Sequence, residues 1–474
     1  MSMHQSECMD QLLEEAQLPA HIEMQVRSIL NTRNWDLDLS HANLRDAGAL
    51  ALAEALKHNA SLHWLNLQSN GIEFRGVAAL VAALHNNATL EHLLLGNDNH
   101  CRSNHPLNCI GPEGAKAIAT LLKEGSTSTV YHIDLSYNSI RDEGATIIGN
   151  AMEQNPSFLR HLSLAGNDIT HNGVEALARA LMCSHSITRL SLGDNQLGDT
   201  GTTTLANALQ TNKSVQVIDL SNNNVGYEGA QALTTVLRNT TTLTKLNLAR
   251  NNLRDAGTRA LGSALEKNQS VSELNLSSNS IGPAGACAIA KPLGSRSGLE
   301  RLDLGNNNIE DKGATSIVAK FGRGTNVTEL DLSNNNIGEN GGAKVAQALA
   351  HSKITELDLS DNNIRDAGAT AIAEATRSSE SLLHLNLSGN AIGDKGGIAI
   401  ADSLCRSTST LTFVDISRND IAEKGGLALL DSLAANNSMR VLKCVGNAFG
   451  SSSAFARRLA LTHHKHPTLD VSFR

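Results

Sequence analysis

The sequence predicts an α/β solenoid, a horseshoe with parallel strands on its concave face and helices on its convex face. Three observations carry this reading. A triplet with apolar first and third residues recurs fifteen times along the 474 residues. Its copies keep a spacing of about 28 residues, within the range of solenoid repeats. After each triplet and a turn, apolar residues fall at helical spacing.

The triplets run from Leu37-Asp38-Leu39 and Leu65-Asn66-Leu67 to Val414-Asp415-Ile416 and Leu442-Lys443-Cys444. Alternation points both apolar side chains inward and the middle residue outward, so each triplet reads as a short strand. Three residues later stands an asparagine: Asn70, Asn138, Asn167 and Asn195 are examples, with Ala42 in its place in the first unit. A buried asparagine in a turn has donors and an acceptor to satisfy backbone groups of its own and the next coil. A glycine follows in fourteen of the fifteen units, then a helix. In the first unit Ala49, Leu52, Ala53 and Leu56 form one apolar face, and Gly342, Val345, Ala346 and Leu349 repeat it. Asp46 is placed to cap the helix of its own unit.

The units predict a domain layout. Residues 1–36 form an N-terminal helical cap through Leu12, Leu13, Ile22, Val26, Ile29 and Leu30. Residues 37–455 hold fifteen repeats, with an insertion at 99–109 within a 12-residue excess over the period between Leu93 and Ile133. Residues 456–474 form the C-terminal cap, where Leu469-Asp470-Val471 has the pattern of a sixteenth strand. No unit buries its apolar face alone; stacking does.

A unit such as Leu330-Asp-Leu-Ser-Asn-Asn-Asn-Ile-Gly-Glu-Asn-Gly-Gly-Ala resembles the ribonuclease-inhibitor-like class of leucine-rich repeats. That class includes ribonuclease inhibitor, the repeat domains of NOD-like receptors and Ran GTPase-activating protein. The resemblance covers about residues 37–455 and implies the solenoid. It leaves function open, with three implied activities: occlusion of an enzyme, regulation of a small GTPase, or innate-immune sensing. The chain departs from ribonuclease inhibitor in its seven cysteines and near-uniform period. It lacks the acidic tail of the Ran activator, and it carries no G-x-x-x-x-G-K-[ST] loop. The expectation is a chain of repeats alone.

Composition narrows the function. A net charge of −8 argues against nucleic acid as partner. The longest apolar stretch, Gly76–Leu84, falls short of a membrane span. The first residues show no signal-peptide pattern, and the sparse, odd cysteine count fits a reducing compartment, so a cytoplasmic protein is expected. Catalytic motifs are missing; the repeat accounts for nearly every strand Asp and Ser. The expected function is therefore a non-enzymatic scaffold binding a partner protein on the concave face, with no cofactor.

Two outward rows are candidates for that contact. The middle residues of the triplets, among them Asp303, Asp331 and Asp358, read as an acidic floor or, more plainly, as polar consensus on a wetted face. The residues preceding each triplet vary far more. They include Trp64, His92, His132, His161, Arg189, Lys245, Glu273, Arg301, Glu329, Glu356, His384 and Phe413, and these are the candidate partner-binding residues. Variation on an invariant frame is where specificity is written, and Trp, Arg and Phe tend to anchor interfaces; surface drift is the plainer account. His92, His132 and His161 fall on successive strands, which suits metal binding or a pH-sensitive face as well as a solvated row. In the insertion, Cys101, His105 and Cys109, with His100, have zinc-ligand residue types without the tighter C-x₂-C pairs. A tolerated surface insertion is the plainer account.

Overall fold

The computed structural model describes residues 3–28, 35–98, 105–123, 126–294, 297–322, 325–405, 410–433, 436–449, 453–465 and 470–472. They group into two compact units, Met1–Val225 and Gly226–Arg474. The first holds strands β1 (Asp36–Asp38), β2 (Trp64–Asn66), β3 (His92–Leu94), β4 (His132–Asp134), β5 (His161–Ser163), β6 (Arg189–Ser191) and β7 (Val217–Asp219). The second holds β8 (Lys245–Asn247), β9 (Glu273–Asn275), β10 (Arg301–Asp303), β11 (Glu329–Asp331), β12 (Glu356–Asp358), β13 (His384–Asn386), β14 (Phe413–Asp415), β15 (Val441–Lys443) and β16 (Asp470–Ser472). Within each unit neighbours pair in parallel at the repeat register, as in Leu65↔Leu93 and Leu302↔Leu330. A sixteenth strand is present, but as Asp470–Ser472 with Val471 and not Leu469 opposite Leu442; Leu469 lies outside the described residues.

Helices back the strands. The first unit has α1 (Met3–Ala16), α2 (Ala20–Ser28), α3 (Arg45–Leu56), α4 (Phe74–Leu84), α5 (Gly111–Leu121), α6 (Arg141–Gln154), α7 (His171–Cys183) and α8 (Gly198–Thr211). The second has α9 (Tyr227–Asn239), α10 (Arg254–Leu265), α11 (Pro283–Leu293), α12 (Glu310–Val318), α13 (Glu339–Leu349), α14 (Arg365–Thr376), α15 (Asp394–Leu404), α16 (Glu423–Leu433) and α17 (Ser453–Lys465). Each repeat seals its core with the same positions. In the second these are Leu65 and Leu67 from the strand, Ile72 from the turn, Val77, Leu80 and Leu84 from α4, and Leu90 beyond it, all fully buried. Each such side chain contributes roughly 1.5–3 kcal/mol. Helices approach closely because small residues face one another: a Cβ on Gly262 would stand 2.7 Å from the Ala288 carbonyl oxygen.

The asparagine ladder is present, and it runs to the preceding coil as well as its own. The Asn167 amide donates to Leu135 O at 2.9 Å and Ala165 O at 3.1 Å. Its oxygen accepts from Asn138 N and Ile140 N of the repeat before. A second ladder closes the turn from helix to strand. Asn268, for example, donates to Leu237 O and accepts from Ser270 N and Val271 N.

Asp46 does not cap its own helix. It lies in the first turn of α3, and its carboxylate accepts from Glu73 N and Gly76 N, capping α4 of the next repeat. Asp255 does the same for Gly282 N and Gly285 N, and Asp366 for Gly393 N and Gly396 N. A Cβ on Gly285 would meet the Asp255 oxygen at 2.6 Å, so glycine is required there. Helix starts accordingly come in two forms. Several that contribute the aspartate open on a left-handed residue, such as Arg45, Arg254 or Arg365, with φ of 51°, 51° and 50°, while α15 both receives from Asp366 and contributes Asp394 to α16. Those receiving it open on an extended cap, such as Glu73, Gly282 or Gly393.

The insertion falls between β3 and its ladder asparagine. Asn97 and Asn108 exchange bonds at its neck, Asn108 N to Asn97 Oδ1 at 2.7 Å and Asn97 Nδ2 to Asn108 O at 2.8 Å. Asn108 then takes the ladder position, donating to Leu67 O and Leu95 O. Residues 108 and 109 therefore belong to the frame and not to the inserted loop.

Candidate functional site

The candidate rows occupy the strand face of each unit. In the first unit Trp64, His92, His132, His161 and Arg189 stand in successive register positions. In the second Lys245, Glu273, Arg301, Glu329, Glu356, His384 and Phe413 do the same.

The middle residues have a structural task. The side-chain oxygen of Asp134, Asp303, Asp331 or Asn275 accepts the N–H two residues on, at 2.8–2.9 Å, ending the strand in an Asx turn. Aspartate and asparagine serve equally, which explains their alternation in the row.

The second unit's row closes over this floor. Arg301 grips Glu329 with both nitrogens, Nε to Oε2 at 2.5 Å and Nη2 to Oε1 at 2.7 Å. His384 Nδ1 meets Glu356 Oε1 at 3.1 Å, and Lys245 pairs with Glu273 at 2.6 Å. A cavity of about 520 Å³ lies among Arg301, Glu329, Glu356, His384 and Phe413, floored by Asp303, Asp331 and Asp358. It gathers five carboxylates against one guanidinium and one imidazole. Burial pushes Asp331 up to about 6 and raises Asp303. His384 packs edge-on to Phe413, and the Lys443 ammonium sits 5.3 Å over the Phe413 ring.

In the first unit three imidazoles form a continuous row. Ring centroids are 5.0 Å apart for His92–His132 and for His132–His161. The Nδ1 atoms of His92 and His132 approach to 2.8 Å. Burial lowers His132 to about 4 and also lowers His161, which faces Arg189 as well.

Sequence reasoning missed a third row, one residue further back. Strict alternation would point it inward, yet Trp35 is exposed and stacks on His63 at 4.0 Å. The Trp35 carbonyl accepts from both His63 N and Trp64 N, and the alternation begins only with β1, whose Asp36 is exposed as Trp35 is. Tyr131 sits at the equivalent place, donates to Glu91 at 3.0 Å and lies under the Arg160 guanidinium at 5.0 Å.

Of the insertion's candidate ligands, Cys101 and His100 lie outside the described residues. His105 packs on His41, whose Nε2 meets Asp98 at 3.0 Å. Cys109 is held in the frame by its backbone bond to Ile72 O. Among the described residues no group of three or more His, Cys, Asp or Glu is arranged to hold a metal. No described helix is long and apolar enough to cross a membrane.

A stacked α/β repeat with an open, variable strand face defines an interaction scaffold. The leucine-rich repeat family matches in thirteen stretches, from residues 36–53 to 408–430, over more than half the chain. The protein belongs to that family, and its repeats are of the ribonuclease-inhibitor-like class. It is 32% identical over 139 residues to RAN GTPase-activating protein 2 of Arabidopsis thaliana, covering 29% of this chain and 23% of that protein. It is 30% identical over 155 residues to mouse NACHT, LRR and PYD domains-containing protein 14, covering 32% and 14%. The chain thus spans less than a quarter of each of these relatives. The structure of the mouse RP105/MD-1 complex shares the fold, with TM-score 0.50 and 16% identity over 90% of this chain and 69% of that one.

Proposed function

We propose that the protein is a non-enzymatic cytoplasmic scaffold that holds a partner protein on its strand face, and that the partner places a basic side chain in the second unit's cavity. The observation that carries this is the cavity's charge: five carboxylates surround it, and the row above supplies one guanidinium and one imidazole. Opposite charge steers encounter and fixes register. Trp64 and Arg189 in the first unit are further anchors of the kind that dominate interfaces.

The test is capture of partners from cell extract. Wild type runs beside Glu329→Lys/Glu356→Lys and, separately, Trp64→Ala/Arg189→Glu. The expected outcome is a protein retained by wild type, shed by the double-lysine variant by tenfold or more, and bound less well as salt rises. An unchanged set of partners in both variants overturns the reading.

A second reading rests on the match to the Ran activator of Arabidopsis. There the scaffold orders a small GTPase's own catalytic groups. Accelerated GTP hydrolysis by a Ran-type GTPase on adding this chain would favour it.

A further inference from the structure

We propose that His92 and His132 form a two-ligand site for a divalent metal ion of the zinc class on the strand face of the first unit. The two residues share one register position on adjacent strands, so both side chains leave the same face. Their rings meet at 70°, and the Nδ1 atoms converge to 2.8 Å. Zinc–imidazole bonds of about 2.0–2.1 Å at a tetrahedral angle hold their nitrogens about 3.3 Å apart. Opening the pair by about half an ångström, with both rings turned so that their lone pairs converge on one point, brings the nitrogens to that spacing.

The surroundings prepare one ligand. The Tyr131 hydroxyl donates to Glu91 Oε2 at 3.0 Å, so its oxygen is left to accept the His92 Nε2–H at 3.3 Å. That bond puts the His92 proton on Nε2 and its lone pair on Nδ1, facing His132. A ligand histidine is ordinarily oriented through its other nitrogen by a carboxylate, carbonyl or water; here Glu91 acts through Tyr131. His132 turns its Nδ1 lone pair to the ion by moving its own proton to Nε2. His161, edge-on to His132, walls the site on the far strand. Glu91 and Asp134 offset the nearby Arg160 and Arg189 in charge. Two protein ligands leave the other positions to water or to a group brought by a partner, which makes this an open site and not a closed structural one. The inference does not depend on the acidic cavity of the second unit.

The test is calorimetric titration of the full chain with zinc chloride. The background carries His100→Ala, Cys101→Ala, His105→Ala, His463→Ala, His464→Ala and His466→Ala, so that the loop and terminal ligands do not contribute. His132→Phe and His92→Phe each keep a ring and remove the nitrogens. The expected result is one zinc per chain in the background, lost or weakened at least tenfold in either Phe variant. Zinc should also raise the melting temperature of the background and leave that of His92→Phe unmoved. Equal stoichiometry and affinity in the background and both variants overturns the site. Should His132→Phe fail to fold, His92→Phe decides alone.

Discussion

Asp331 shows how one position serves both frame and surface. Its carboxylate accepts Ser333 N at 2.8 Å, and the same bond is made by the Asn275 amide oxygen to Ser277 N. Asparagine therefore keeps the turn and removes the half-buried charge. Burial lifts the folded-state value from 3.8 to about 6. A raised carboxylate stabilises the fold fully below the unfolded value, and that contribution is lost as pH rises through the folded one. Wild type should thus lose stability relative to Asp331→Asn between about pH 4 and pH 6, with no further loss above. At 1.36 kcal/mol per unit the difference is at most about 3 kcal/mol. Urea unfolding of both proteins from pH 4 to 8 measures it, and parallel curves would refute the assignment. A cation entering the cavity favours the ionised carboxylate, so partner affinity should rise with pH through the same window. The sequence displayed Asp331 as one Asp in a row of Asp and Asn. Its elevation came only from the folded setting, because the Asx turn draws it into the floor.

At the scale of the element, nearly all of the repeat was legible. Period, triplet and ladder asparagine specify strand and turn, and small residues on the helix face specify close packing. The capping was misread. An aspartate just inside a helix start has the spacing of a cap, but the repeat brings the next helix's N–H groups nearer than its own. The signal lay in the pairing of Arg45-Asp46, Arg254-Asp255 or Arg365-Asp366 with the extended start one repeat later. The outward turn of Trp35 and Tyr131 left no such mark, since it goes with backbone bonding between coils. Asp255→Ala should cost about 1–2 kcal/mol, the usual worth of an N-cap. Its distinguishing effect is one of place: amide exchange should quicken at the start of α11, which loses its acceptor, more than at the start of α10, where the substitution lies. The reverse order would show that Asp255 acts on its own helix.

Across the molecule the ladder converts local bonds into stability shared along each stack. A repeat touches only its neighbours, so damage should spread by adjacency. Asn167 binds the repeats on either side: it donates to Leu135 O, accepts from Asn138 N and Ile140 N, and gives its own N–H to Asn195 Oδ1. In Asn167→Ala, buried backbone groups of two repeats lose partners, at about 1–3 kcal/mol for each left unsatisfied. Hydrogen exchange should therefore rise in β4, β5 and β6 and in α6 and α7. The cavity of the second unit is built from β10 to β14, whose ladder bonds run through Asn307, Asn335, Asn362, Asn390 and Asn419. Exchange there, and retention of a partner through that cavity, should be untouched. A uniform rise across all strands would mean that stability is pooled over the whole chain rather than passed from coil to coil. In that case, substitutions far from the strand face would weaken partner binding as surely as those upon it.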